Sequence, residues 1–186
     1  MAYRPYVTKE NAMTQEQFKV IQKICDDAPR PFKGNLHVGL DPENGTITII
    51  SATRDIPIID WRIVQNDKFI VTEGDPDSEK YGNVLFTCMN IEALEAYIKG
   101  TFALEIAKNY EVFYFNFGTA DKYQDTFCRV MVPRSPDAKD VALEKFKAKF
   151  GRRMGFQYTY DEYVKFCLLP WWKGTETEMD IEDMEP

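Results

Sequence analysis

Two short runs of alternating residues flank Asp41-Pro42-Glu43-Asn44-Gly45, and this arrangement restricts the fold more than any other stretch of the chain. Leu36, Val38 and Leu40 fall on one side of an extended segment with His37 and Gly39 on the other, and Ile47 and Ile49 likewise oppose Thr46 and Thr48. Proline fixes φ at one corner of the turn and Asn-Gly accepts positive φ at the other, so the runs are predicted to close into an antiparallel hairpin. The apolar side of that hairpin needs a covering layer.

Helical signals supply one. Thr14 and Gln17 have capping-box spacing and precede Phe18, Ile21, Ile24 and Cys25 on one face, which predicts a helix to about Ala28, ended by Pro29 and Pro31. Ile56 to Val64 and Lys68 to Thr72 read as a further strand pair, the first an edge or late-starting strand because of Pro57. Val84 to Met89 is the next strand. Asn90 caps a helix with Ile91, Leu94, Ile98 and Phe102 on its face, which Gly100 is placed to divide.

Glu111 to Phe117, with aromatics on both faces, and Thr126 to Val132 complete the strands. The strand, helix, strand order over Val84 to Phe117 leaves room for one parallel pair. Ser135-Pro136-Asp137 opens a helix with Ala142, Phe146 and Phe150 on one stripe, and Thr159 with Glu162 repeats the capping box before a last helix that holds Val164, Cys167 and Leu168 and stops at Pro170. The expected fold is therefore α+β: a single globular domain over residues 1–173, a mainly antiparallel sheet of six or seven strands with room for a parallel pair, N-terminal, central and C-terminal helices, and a disordered acidic tail over 174–186.

Composition narrows the function classes. With 23 Lys and Arg against 30 Asp and Glu, the net charge of −7 argues against wholesale affinity for nucleic acid or anionic membrane. No run approaches the roughly 20 apolar residues of a membrane span, and the first residues lack a signal-peptide core, so a cytoplasmic protein is expected. P-loop, dinucleotide and serine-hydrolase signatures are all absent. No cofactor and no catalytic set is assigned.

Metal chemistry finds little support. Cys25, Cys88, Cys128 and Cys167 are dispersed among apolar neighbours and read as buried thiols, with His37 the one histidine a zinc site would require. Asp75, Asp77 and Glu79 alternate as at the start of a calcium loop, but Lys80 and Phe86 stand where glycine and glutamate are needed, so 74–82 is a solvated turn. Asp55, Asp60 and Glu73, with Asp137 and Lys139, are the acids and base a carboxylate-metal enzyme would draw on, a third-ranked reading.

Charge segregates strongly in the last quarter. Residues 134–173 carry 9 basic and 5 acidic side chains, and 174–186 carry 6 acidic and none basic. The acidic end offers Met179, Asp180, Ile181, Glu182, Asp183 and Met184 as a partner-binding segment, its apolar residues docking and its acids steering toward a basic rim. Lys145, Lys149, Arg152 and Arg153, followed by Phe156 and Tyr158, form the alternative: a single-strand nucleic-acid patch with the acidic tail as competitor. The preferred expectation is a non-enzymatic acidic inhibitor or adaptor that occupies a surface of another macromolecule, in first place a protein, with nucleic-acid mimicry as one version.

Overall fold

The computed structural model describes residues 13–54, 56–65, 67–166 and 177–186. Cys167, Leu168, Pro170 and the Trp171-Trp172 pair after it lie outside these, as do Asp55 and residues 174–176 of the expected tail. The fold is α+β, with four helices and two sheets, and the chain divides into two compact units, Met1–Ile106 and Ala107–Pro186. No helix among the described residues is long and apolar enough to cross a membrane.

The first unit is a meander. Helix α1 (Gln15–Asp26) precedes strands β1 (Leu36–Asp41), β2 (Thr46–Ser51), β3 (Asp60–Gln65), β4 (Phe69–Glu73) and β5 (Val84–Cys88), which lie in sequence order with every neighbour antiparallel. The capping box at Thr14 is complete: its hydroxyl accepts the Gln17 amide while the Gln17 side chain takes the Thr14 N–H. In the first hairpin turn Asp41 Oδ1 accepts the amides of Glu43 and Asn44, and Gly45 takes φ +57°, as the turn chemistry requires. Strand β3 starts four residues later than the apolar run suggests, because Pro57 offers no ladder donor; Ile56 and Ile59 are buried ahead of it.

Helix α2 (Ile91–Asn109) is continuous through Gly100. Leu94, Ile98 and Phe102 join Ile21, Ile24 and Cys25 of α1 in a core with Ile47, Ile49, Trp61, Ile63, Phe69 and Val71 of the strands. Cross-strand register puts Ile47, Ile63 and Val71 in one row, so a single sheet face feeds that core.

The second unit corrects the expectation of one sheet. Strands β6 (Tyr110–Phe117) and β7 (Thr126–Pro133) pair antiparallel, and β6 takes β8 (Met154–Thr159) on its other side, so the strand after α2 joins a new sheet instead of returning to the first. Both faces of β6 are covered. Phe113, Phe115 and Phe117 meet Ala142, Phe146 and Phe150 of α3 (Ala138–Phe150), while Tyr114 on the opposite face stacks on Tyr163 of α4 (Tyr160–Phe166) at 4.0 Å. The α4 entry has the expected box, with the Thr159 amide and hydroxyl donating to Glu162. Helix α3 begins at Ala138, two residues after Pro136, and Gly151 ends it at φ +64°.

Order in the C-terminal decapeptide departs most from expectation. Thr177–Asp180 is strand β9, parallel to β7, and Ile181–Asp183 forms a 3-10 turn, so the disordered tail is not found over 177–186. Ile181 and Met184 explain it: they are 2% and 3% exposed in the second unit's core, an apolar burial that offsets the ordering entropy.

Candidate protein-interaction surface

The acidic decapeptide is anchored side chain by side chain. Along β9, Glu178 and Asp180 point to the α4 face of the sheet and Met179 to the α3 face, the ordinary alternation of a strand. Arg129 of β7 receives both acids, its Nε 2.6 Å from Asp180 Oδ1 and its Nη1 3.9 Å from Glu178 Oε2. The Tyr163 hydroxyl donates to Glu178 Oε1 at 2.7 Å. Burial, followed by the Glu178 charge, pushes the neighbouring Tyr114 phenol up to about 12, so it remains protonated at neutral pH.

On the other side α3 presents its lysines. Lys145 Nζ lies 2.6 Å from Glu182 Oε1, and Lys149 Nζ donates to the Ile181 carbonyl at 2.5 Å. Lys122 Nζ donates to a Pro186 oxygen at 3.2 Å and the Glu185 amide donates to the Tyr123 hydroxyl. An open pocket of about 460 Å³ lies beside this contact, lined by Lys145, Ala148, Lys149, Ile181, Glu182 and Pro186.

These contacts locate the partner-binding segment expected from sequence. Ile181 and Met184 are buried in the chain's own core and Met179 is half-buried against it, while Asp180 and Glu182 pair with Arg129 and Lys145. Glu182 and Asp183 keep exposed surface. The alternative basic patch is likewise engaged from within: besides Lys145 and Lys149, Arg153 makes two hydrogen bonds to Asp121, at 2.6 and 2.8 Å, and lies over the rings of Phe117, Tyr123 and Phe150. Arg152 is exposed. The Arg153 guanidinium holds the Asp121 carboxyl below its ordinary value.

Phe156 and Tyr158 belong to an edge strand that the sequence pattern did not announce. Strand β8 pairs only with β6 among the described strands, leaving its outer edge unpaired. Tyr158 packs inward on Phe127, but Phe156 is 66% exposed. Next in sequence, α4 buries Tyr163 and leaves Tyr160 59%, Val164 41% and Phe166 50% exposed. Four large apolar side chains thus lie exposed within residues 156–166, Tyr160 and Val164 side by side on α4.

Chemistry is thinner elsewhere. Asp60 and Glu73 do come together with Asp75: burial first, then the neighbouring carboxylates, raises the pKa values of Asp60 and Glu73. Yet no group of three or more His, Cys, Asp or Glu among the described residues is arranged to hold a metal ion. Asp137 and Lys139 belong to the second unit. In the 74–82 loop Asp75 Oδ1 accepts the Asp77 amide as in an ordinary turn. His37 is exposed on β1; Cys25 and Cys128 are buried in separate units, where burial pushes both thiols up to about 12, and Cys88 is half-buried.

Compared with known proteins, the chain matches no family model, no curated protein and no solved structure.

Proposed function

We propose that this chain is a non-enzymatic intracellular binding protein, an acidic inhibitor or adaptor, whose second unit docks on another protein through the β8–α4 corner. The observation that carries this reading is the exposure of Phe156, Tyr160, Val164 and Phe166 within eleven consecutive residues. Aromatics anchor interfaces because they bury large areas with few rotatable bonds, and an unpaired edge strand offers main-chain donors and acceptors beside them. Asp161 at the start of α4 and the chain's net charge of −7 favour an apolar partner site with a basic rim.

The nucleic-acid alternative draws on the exposed Phe156 ring, 6.3 Å from that of Tyr158, as a base-stacking step. It is ranked second because Lys145, Lys149 and Arg153 already have acceptors within the chain.

Affinity capture from host lysate, with and without nuclease, separates the two. The expected result is a protein partner that survives nuclease and is recovered less than about a tenth as well by Phe156→Ala/Tyr160→Ala, a pair of aromatic truncations at an interface centre. Loss of all protein partners on nuclease treatment, with bound oligonucleotide detected, reverses the ranking.

A further inference from the structure

The C-terminal decapeptide makes a complete set of ligand-like contacts. It adds a parallel strand to β7 over Thr126–Arg129, places Glu178 and Asp180 on Arg129, inserts Ile181 and Met184 into the core, and meets Lys145, Lys149 and Lys122 along its length. The hydrogen bonds and ion pairs named here all run to residues 122 to 163. The groove it fills is therefore a receptor for one sequence: an extended acid-Met-acid-Ile run, then an acid opposite Lys145 and a second apolar anchor three residues after the first.

We propose that this groove also accepts the C-terminal segment of a second copy of the chain, so that two molecules exchange β9 and the turn after it. Three features support the exchange. The segment is joined to β7 by a ladder of only four residue pairs, in the parallel arrangement, at the sheet edge. Its rim ion pair is partly exposed, with Lys145 40% and Glu182 33% accessible at their side chains, so that pair adds little to its retention. When the segment lifts, β7 loses its edge cover and the pocket holding Ile181 and Met184 opens; an unpaired edge beside an apolar pocket recruits a strand. The second copy is the occupant whose fit follows from identity: its residues 177–186 carry the same acids and anchors in the same order. Exchange of an identical element between protomers needs no new interface chemistry. This inference does not depend on the β8–α4 reading, since it uses the opposite edge of the sheet.

The test uses the Thr126 and Thr177 hydroxyls, which lie 3.3 Å apart across the ladder. Full-length chains are made in a Cys88→Ser/Cys128→Ala/Cys167→Ser background, because Cys128 lines the pocket that opens, one with Thr126→Cys and one with Thr177→Cys, then mixed and oxidised with glutathione disulfide. Because the tethered strand competes at an effective concentration on the order of mM, the covalent heterodimer is expected to rise as total protein goes from micromolar to about 1 mM. It should exceed by at least about fivefold the dimer from Thr126→Cys mixed with Glu43→Cys, which reports random collision. A Thr126→Cys/Thr177→Cys chain must close an internal disulfide, confirming strand register in the variants. If the double variant closes while the mixture stays at the collision background, the segment is an internal strap only and the exchange is refuted. If the double variant fails to close, the β7–β9 groove itself is refuted.

Discussion

Both units cover a sheet with helices, yet they complete their cores from different distances along the chain. In the first, five strands follow one another in a meander, and α1 and α2, which flank them in sequence, supply the cover. In the second, β6 carries aromatics to both faces, α3 and α4 each take one, and the outer strand beside β7 arrives from the C-terminus after about fifty residues. A meander is assembled from neighbours, whereas a parallel strand must be brought back across a long loop. The second unit's core is thus the one whose closure depends on a segment that composition alone would assign to solvent.

The largest expected effects test whether the cores are separate. Phe102 stacks on Phe32 at 4.8 Å in the first unit and Phe146 stacks on Phe115 at 4.6 Å in the second, and both are fully buried. Phe102→Ala and Phe146→Ala should each cost about 3–5 kcal/mol through lost transfer energy and the cavity left behind. Hydrogen exchange read by mass spectrometry should show lost protection confined to residues 13–106 for the first variant and to 107–186 for the second. Equal loss in both units from either variant breaks the comparison.

Ile181→Ala sharpens it. This side chain is 2% exposed in a segment bearing six acids in thirteen residues, and its truncation should cost the second unit about 2–5 kcal/mol, toward the low end because a site near the surface collapses easily. Urea unfolding of the second unit provides the measurement. A change within about 0.5 kcal/mol, the range of an ordinary surface substitution, would make the decapeptide a decoration instead of part of the core.

How far these differences are legible follows the same division. The first hairpin, both capping boxes and the Phe146–Phe150 stripe could be read directly because each is encoded within a few residues: Asn44-Gly45 in a turn, Thr14 with Gln17, Thr159 with Glu162, apolar side chains four apart. The two-sheet arrangement could not, since whether the strand after a helix returns to the old sheet or starts another depends on which edges are free. Strand β9 left a faint signal in Glu178-Met179-Asp180-Ile181, which alternates acid and apolar, but four residues under a heavy acidic charge read as tail. Arg129 and Tyr163, which fix that strand, carry no local mark at all; their partners lie 51 and 15 residues away. The exposed corner was half visible: Phe156 stood out beside basic residues, but strand β8 and the exposure of Tyr160 and Phe166 depend on what covers the sheet.

The smallest expected effect is a pair of pH dependences of opposite sign. In the first unit, burial and neighbouring carboxylates raise the pKa values of Asp60 and Glu73, so the folded state holds their protons more tightly than the unfolded chain. That contribution is fully present below the unfolded pKa values and is lost as pH rises through the folded ones. In the second unit Arg153 lowers the Asp121 pKa, so its contribution is present above the unfolded value and lost as pH falls through the depressed one. Because Asp41, bonded to Asn44, is lowered in the first unit too, single variants and not whole units carry the comparison. Thermal unfolding from about pH 3 to about pH 7, bracketing the ordinary carboxylate values, should show Asp60→Asn gaining on the parent chain toward neutral pH, since it removes a desolvated charge and relieves Glu73. Asp121→Asn should lose on the parent over the same range, because the Arg153 hydrogen bonds are strongest to the ionised acid. Parallel curves for parent and Asp60→Asn would mean that neither burial nor the neighbouring carboxylates disfavour the ionised Asp60 in the folded chain.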